Sequence, residues 1–132
     1  MAMLGTNYSI EINRGDMLAM TIKANDSNGD PYIFKVDDVV RFKIMERNKC
    51  ENVILQKDVK VTEEMESVPV IISSEEMKIG NIINKPVDYW YEVELNPNTS
   101  SAITILGYKK KTGPRILSLT PEGGDKSWSK TL

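Results

Sequence analysis

Val87-Asp88-Tyr89-Trp90-Tyr91-Glu92-Val93-Glu94-Leu95 decides how the rest of this chain is read. Val87, Tyr89, Tyr91, Val93 and Leu95 fall on one parity, and Asp88, Glu92 and Glu94 on the other. Successive strand side chains point to opposite faces, so the stretch predicts a half-buried strand with a wet acidic side. Trp90 is the exception, a large aromatic on the polar face.

Working toward the C-terminus, Asn96-Pro97-Asn98-Thr99 reads as the turn that closes this strand. Ile103 and Ile105 then share one parity of a partner strand, with Ala102, Thr104 and Leu106 on the other. Gly107-Tyr108-Lys109-Lys110-Lys111-Thr112-Gly113-Pro114 reads as a basic hairpin tip, its lysines keeping an exposed loop soluble rather than pairing with phosphate. Ile116, Leu117 and Leu119 make a last short strand. Residues 121–132, polar and rich in glycine and serine, cannot build a core and are expected to be a flexible tail, extended or disordered, to a domain spanning 1–120. Trp128 stands out in that tail. A lone aromatic is costly to leave in water, so it is expected to dock, on this domain or on a neighbouring subunit.

Working back from Pro86, Ser73-Ser74-Glu75-Glu76-Met77-Lys78-Ile79-Gly80 carries a serine cap and a closing glycine, which predicts one short helical turn near residues 74–79. Val68-Pro69-Val70-Ile71-Ile72 is a strand whose proline suggests an edge or an end, and as an edge it could accept a partner's strand. Val40, Phe42 and Ile44 alternate with Arg41 and Lys43, and Val53, Leu55, Val59 and Val61 resume after a charged loop, with Lys57 breaking the pattern: a hairpin. Asn25-Asp26-Ser27-Asn28-Gly29-Asp30-Pro31 is a dense turn signal. A calcium loop would place glycine sixth and glutamate twelfth from Asp26, whereas glycine comes fourth and Asp37 stands twelfth. Two N-terminal strand segments, one carrying Tyr8, Ile10 and Ile12 and one Leu18, Met20 and Ile22, meet at Arg14-Gly15-Asp16. That tripeptide could present a cation and a carboxylate to an adhesion receptor, but glycine between charged residues is equally what a bend between strands needs.

The 132 residues fit one domain, long enough to bury roughly two thirds of its unfolded surface. Seventeen basic against nineteen acidic residues, a net charge of −2, give no broad positive field for nucleic acid. The chain has no histidine, which removes the commonest general base and metal ligand. Its one cysteine, Cys50, reads as a turn-tip thiol and can form no internal disulfide, in keeping with synthesis in a reducing cytoplasm. No apolar run is long enough to cross a membrane as a helix, and the first five residues lack the marks of a signal peptide. No catalytic residue, cofactor or metal site is predicted.

Seven or eight short strands with turn signals every eight to twelve residues describe an all-β chain, an antiparallel immunoglobulin-like β-sandwich, with Tyr89 or Tyr91 where such folds place a corner tyrosine. Ile12-Asn13-Arg14-Gly15-Asp16, Asp38-Val39-Val40-Arg41-Phe42-Lys43-Ile44 and Tyr89-Trp90-Tyr91-Glu92-Val93-Glu94-Leu95 followed by a Thr-Ile strand together resemble the immunoglobulin-like N-terminal domain of phage upper baseplate proteins. The resemblance runs over about residues 8–119. It implies a non-enzymatic virion component, made in the bacterial host cytoplasm, that assembles with copies of itself and other virion proteins, away from nucleic acid and membrane. Those baseplate proteins continue into a coil and a receptor-binding region, which this sequence does not show, so receptor binding is not carried over. Candidate contacts are Trp90, Trp128 and the edge bearing Val68, Val70 and Ile72. Two other readings stand beside it: a carbohydrate- or host-surface-binding module stacking sugars on Trp90, Tyr89, Tyr91 and Tyr108, or a head decoration protein. A hydrolase would need Asp88 paired with Glu92 or Glu94, but acidic side chains spaced along one strand face more often form a solvated stripe.

Overall fold

The computed structural model describes residues 9–26, 28–80, 85–108 and 113–121, with the backbone alone at residues 3 and 4. The described residues form strands and no helix: β1 (Met3–Leu4), β2 (Ile10–Asn13), β3 (Leu18–Ile22), β4 (Val39–Glu46), β5 (Lys49–Lys60), β6 (Val68–Ile72), β7 (Val87–Leu95), β8 (Ile103–Leu106) and β9 (Arg115–Thr120). The parity of the opening stretch is realised in β7, where Tyr91, Val93 and Leu95 are buried and Asp88 is exposed.

Strand β7 organises a seven-stranded sheet. On one side it pairs antiparallel with β4, Val93 opposite Phe42 and Tyr91 opposite Ile44. On the other, β9 lines its first half and β8 its second, both antiparallel to it. Strands β8 and β9 therefore run the same way along one edge, and the expected hairpin at 107–114 is instead an excursion between two successive strands; residues 109–112 lie outside the described ones. The pairing of β7 with β8 slips between Val93 and Glu94, so Leu106, not Ile105, stands opposite Val93. Beyond β4 the sheet ends at β5, and beyond β9 it continues through β2 to β1. Strand β2 is parallel to β9, with Ile10 opposite Leu117, so the sheet is mixed where a purely antiparallel one was expected. A second sheet pairs β3 with β6, Met20 opposite Val70.

The chain passes from one sheet to the other at Gly15, whose φ of 89° suits a residue without a side chain. Buried residues of both sheets, among them Phe42, Val93 and Leu117 from the large one and Leu18 and Val70 from the small one, join in one apolar cluster. Phe34, Val61 and Met77, from connecting segments, belong to it too.

The helical turn expected at 74–79 is a hydrogen-bonded turn and not a helix. Ser73 Oγ accepts from the Glu76 amide at 3.2 Å while the Glu76 carboxylate accepts from the Ser73 amide at 3.0 Å. This reciprocal cap is followed by one helix-type bond, the Met77 amide to the Ser73 carbonyl at 3.0 Å. Gly80, at φ 67°, then turns the chain away before a second turn forms.

Candidate interaction surfaces

The most polar groups inside the molecule tie segments together. Arg14 is 9% exposed, and its guanidinium donates to the carbonyls of Ile79, Lys78 and Gly80 at 3.0, 3.2 and 3.1 Å. The Gly15 amide adds a bond to the Met77 carbonyl. The arginine of the Arg14-Gly15-Asp16 tripeptide is thus the anchor of the 77–80 turn, not a group held out to a receptor.

Asp38, equally buried, accepts from the Tyr32 hydroxyl at 2.8 Å, the Lys35 amide at 2.9 Å and Asn96 Nδ2 at 3.0 Å. Asn96 Oδ1 in turn accepts from the Val39 amide, so one network joins the entry to β4 with the exit of β7. Burial pushes the Asp38 carboxyl up, but the bonds it accepts outweigh that and hold it below the ordinary aspartate value. Burial first, and then its bond to Asp38, raises the Tyr32 phenol. The links that join distant segments did not announce themselves in sequence, because Arg14 and its carbonyls, and Asn96 and its partners Asp38 and Val39, lie 57–66 residues apart.

Outside the core, cross-strand pairing lays the outer face of the large sheet out in rows. The first is charged: Asp58 binds Arg41 through two hydrogen bonds at 2.9 and 3.1 Å, and Arg41 lies opposite Glu94. Next, Lys43 reaches Glu92 at 2.7 Å and Glu94 at 2.9 Å. Burial lowers the Lys43 ammonium and the two carboxylates raise it, the net being upward. Glu92 and Glu94 therefore serve a cation between them rather than forming an acid–base pair with Asp88.

The third row is apolar. Val53, Met45, Trp90 and Ile116 stand opposite one another across β5, β4, β7 and β9. Met45 is only 2% exposed, although it follows the core residue Ile44 and lies outside the core cluster. Val53 and Trp90 flank it on the two adjoining strands. Tyr108, 66% exposed, leans on Trp90 with ring centroids 6.2 Å apart and planes at 39°. The pairing of β4 with β5 slips at this point, leaving Ile54 as an extra residue between Leu55 and Val53. A bulge of this kind turns consecutive side chains to one face, so β5 offers both Val53 and Ile54, 40% and 37% exposed. The fourth row is acidic and polar, Asp88 opposite Ser118 and Ser118 opposite Glu11.

Of the residues predicted to mediate contacts, Trp90 alone lies in this pattern. Val68, Val70 and Ile72 face the core and are at most 1% exposed, so β6 turns only Pro69 and Ile71 outward. Trp128 and residues 122–132 lie outside the described ones. The four-aromatic platform does not form: Tyr91 is buried against Phe42, with centroids 5.7 Å apart, and Tyr89 packs on the core, leaving Trp90 and Tyr108 on the outer face.

The exposed edge β5 is guarded. Lys57, at a core-facing position opposite Phe42, bridges to Glu76 at 3.2 Å, and the bulge at Ile54 breaks the regular ladder. Cys50 is not at the turn tip; that place belongs to Arg47 and Asn48, the latter at φ 64°, and Cys50 is an exposed residue of β5.

Asp26 Oδ1 accepts from the amides of Asn28 and Asp30, so its carboxylate closes its own loop. Among the described residues no group of three or more His, Cys, Asp or Glu is placed to hold a metal ion, and no helix is long and apolar enough to cross a membrane. A groove of about 480 Å³ between residues 23–25 and β8 has Lys23 and Arg115 as its charged lining residues, without a carboxylate. No family model, curated protein or solved structure matches this chain.

Proposed function

We propose that this chain is a non-enzymatic structural component of a phage or phage-tail-like particle, an assembly module built as an immunoglobulin-like β-sandwich. The strand order supports that fold: β3 pairs with β6, and β4, β7 and β9 lie side by side, as the second and fifth, and the third, sixth and seventh, strands of such a sandwich do. The observation that carries the function is the apolar row Val53–Met45–Trp90–Ile116 on an outer sheet face, framed by ion pairs on one side and carboxylates on the other. An apolar centre with a charged rim is the anatomy of a protein contact. In a symmetric particle each copy needs only modest affinity, because its neighbours hold it at high effective concentration. The use of the buried charges Arg14 and Asp38 as struts is in keeping with a rigid building block.

The test is mass spectrometry of purified particles from cells that encode this chain. The expected result is the chain present in a stoichiometry that is a multiple of the particle's symmetry. Particles that contain all other structural proteins but lack it would contradict the proposal.

A further inference from the structure

Charge on the outer face of the large sheet is sorted by strand. Strand β4 turns Arg41, Lys43 and Met45 outward, and β7 sets Glu94, Glu92 and Trp90 directly opposite them. One strand is therefore a cationic ladder with an apolar rung, and its neighbour an anionic ladder with an apolar rung at the same level. The exposed apolar groups at that level are sorted too: Val53 and Ile54 lie on β5, beyond β4, whereas Tyr108 leans on Trp90 from the β8 side of β7. A two-fold axis running along the strands, between β4 and β7, exchanges these halves. We propose that two copies of this chain pack face to face about that axis, Lys43 of each against Glu92 of the other, Arg41 against Glu94, Trp90 at the level of Met45, and Tyr108 over Val53 and Ile54. The pairing rests on the reading of the row as a protein contact and names the partner.

Charge complementarity selects this axis. Packed sheets keep their strands nearly aligned or nearly perpendicular, and identical faces meet about a two-fold axis. A perpendicular crossing lets the two apolar rows meet at one point only. Of the two aligned arrangements, an axis along the row lays β7 on β7, so that Asp88 of one copy falls on Glu92 of the other, carboxylate on carboxylate. The axis along the strands lays β4 on β7, cation on carboxylate at every charged rung. Lys43, Glu92 and Glu94 keep 18, 23 and 21% of their side chains exposed, so their pairing within the chain leaves room for a partner across the face. Met45 is already covered, and the apolar contact is made by Trp90, Tyr108, Val53, Ile54 and Ile116.

Four rows about 6.8 Å apart on four strands about 4.8 Å apart span on the order of 500 Å² a copy, about 1,000 Å² for the pair. That is the size of a weak, transient contact. The pair therefore forms in concentrated solution, or where a particle holds two copies side by side.

The test uses the unmodified chain, half of it ¹⁵N-labelled, from about 10 µM to about 1 mM, the range a contact of this size calls for. Light scattering should show the mass rise from one chain toward two. A carbodiimide, which joins an amine to a carboxylate with loss of water, should give conjugates of Lys43 with Glu92 or Glu94 that link a ¹⁵N peptide to a ¹⁴N one. Two charge-reversed chains, Arg41→Glu with Lys43→Glu and Glu92→Lys with Glu94→Lys, should each stay single, and their mixture should pair. A mass of one chain at every concentration, mixed-isotope conjugates of Lys43 that avoid Glu92 and Glu94, or folded reversed chains that do not pair on mixing, overturns the arrangement. A chain that fails to pair yet is found in particles sinks the pairing alone; one that pairs yet is absent from particles sinks the particle reading alone.

Discussion

Arg14 shows how much one side chain holds in place. Its planar fork meets three carbonyls of residues 78–80, and no other residue type offers several fixed donors at that reach. Arg14→Lys keeps the charge but not the fork, and should cost about 2–4 kcal/mol, read as a lower urea midpoint at unchanged slope. An unchanged midpoint would mean that the 77–80 turn stands without it. Asp38 makes a different prediction. Its carboxyl is held below the ordinary value, so the stability it contributes is present above about pH 3.9 and is lost as pH falls through its lowered value in the folded chain. Asp38→Asn should lower stability at neutral pH by about 1–3 kcal/mol, since its amide cannot accept all three bonds, and should flatten the acid limb of a stability-against-pH curve. An equally steep acid limb in the variant would assign that limb to other carboxyls.

At the scale of elements, the turn after β6 and the strand β5 are the informative pieces. Gly80 has φ 67°, and a Cβ there would come within 3.0 Å of the Tyr89 hydroxyl. Gly80→Ala should cost about 1–2 kcal/mol, and Tyr89→Phe in that background should return only part, because the left-handed backbone stays strained for alanine. Full recovery, measured by thermal unfolding, would make the contact the whole cost. In β5 the inward Lys57 is the guard, so Lys57→Val should leave the fold intact while producing association that grows with concentration in sedimentation velocity. A variant that stays monomeric would leave the bulge as the guard that suffices. The alternation in β7, in β9 and in β4 as far as Ile44 was legible because each buries one face there. Strand β5 was read short and its turn long, since residues 49–54 are exposed and carry no alternation. The signal for its bulge was present as three successive apolar residues, Val53, Ile54 and Leu55. Ile44-Met45, two successive apolar residues buried on opposite faces, was the matching sign of the outer apolar row.

For the whole molecule, local pattern identified an all-β chain but not how its strands are joined. That β2 lies parallel to β9, and that β8 and β9 share one edge of β7, depends on partners far along the chain that no local periodicity encodes. Trp90 was legible as an outer-face aromatic because it broke parity; its row was not, since Val53, Met45 and Ile116 come from three other strands. The account's central claim is that this outer row is a protein contact surface. Native mass spectrometry of the chain co-expressed with the proteins encoded beside it tests that most directly. The account predicts complexes containing this chain, and their loss on Trp90→Lys with the thermal midpoint little changed. Complexes that persist undiminished in Trp90→Lys, or a chain that stays monomeric with every co-expressed protein, would contradict it.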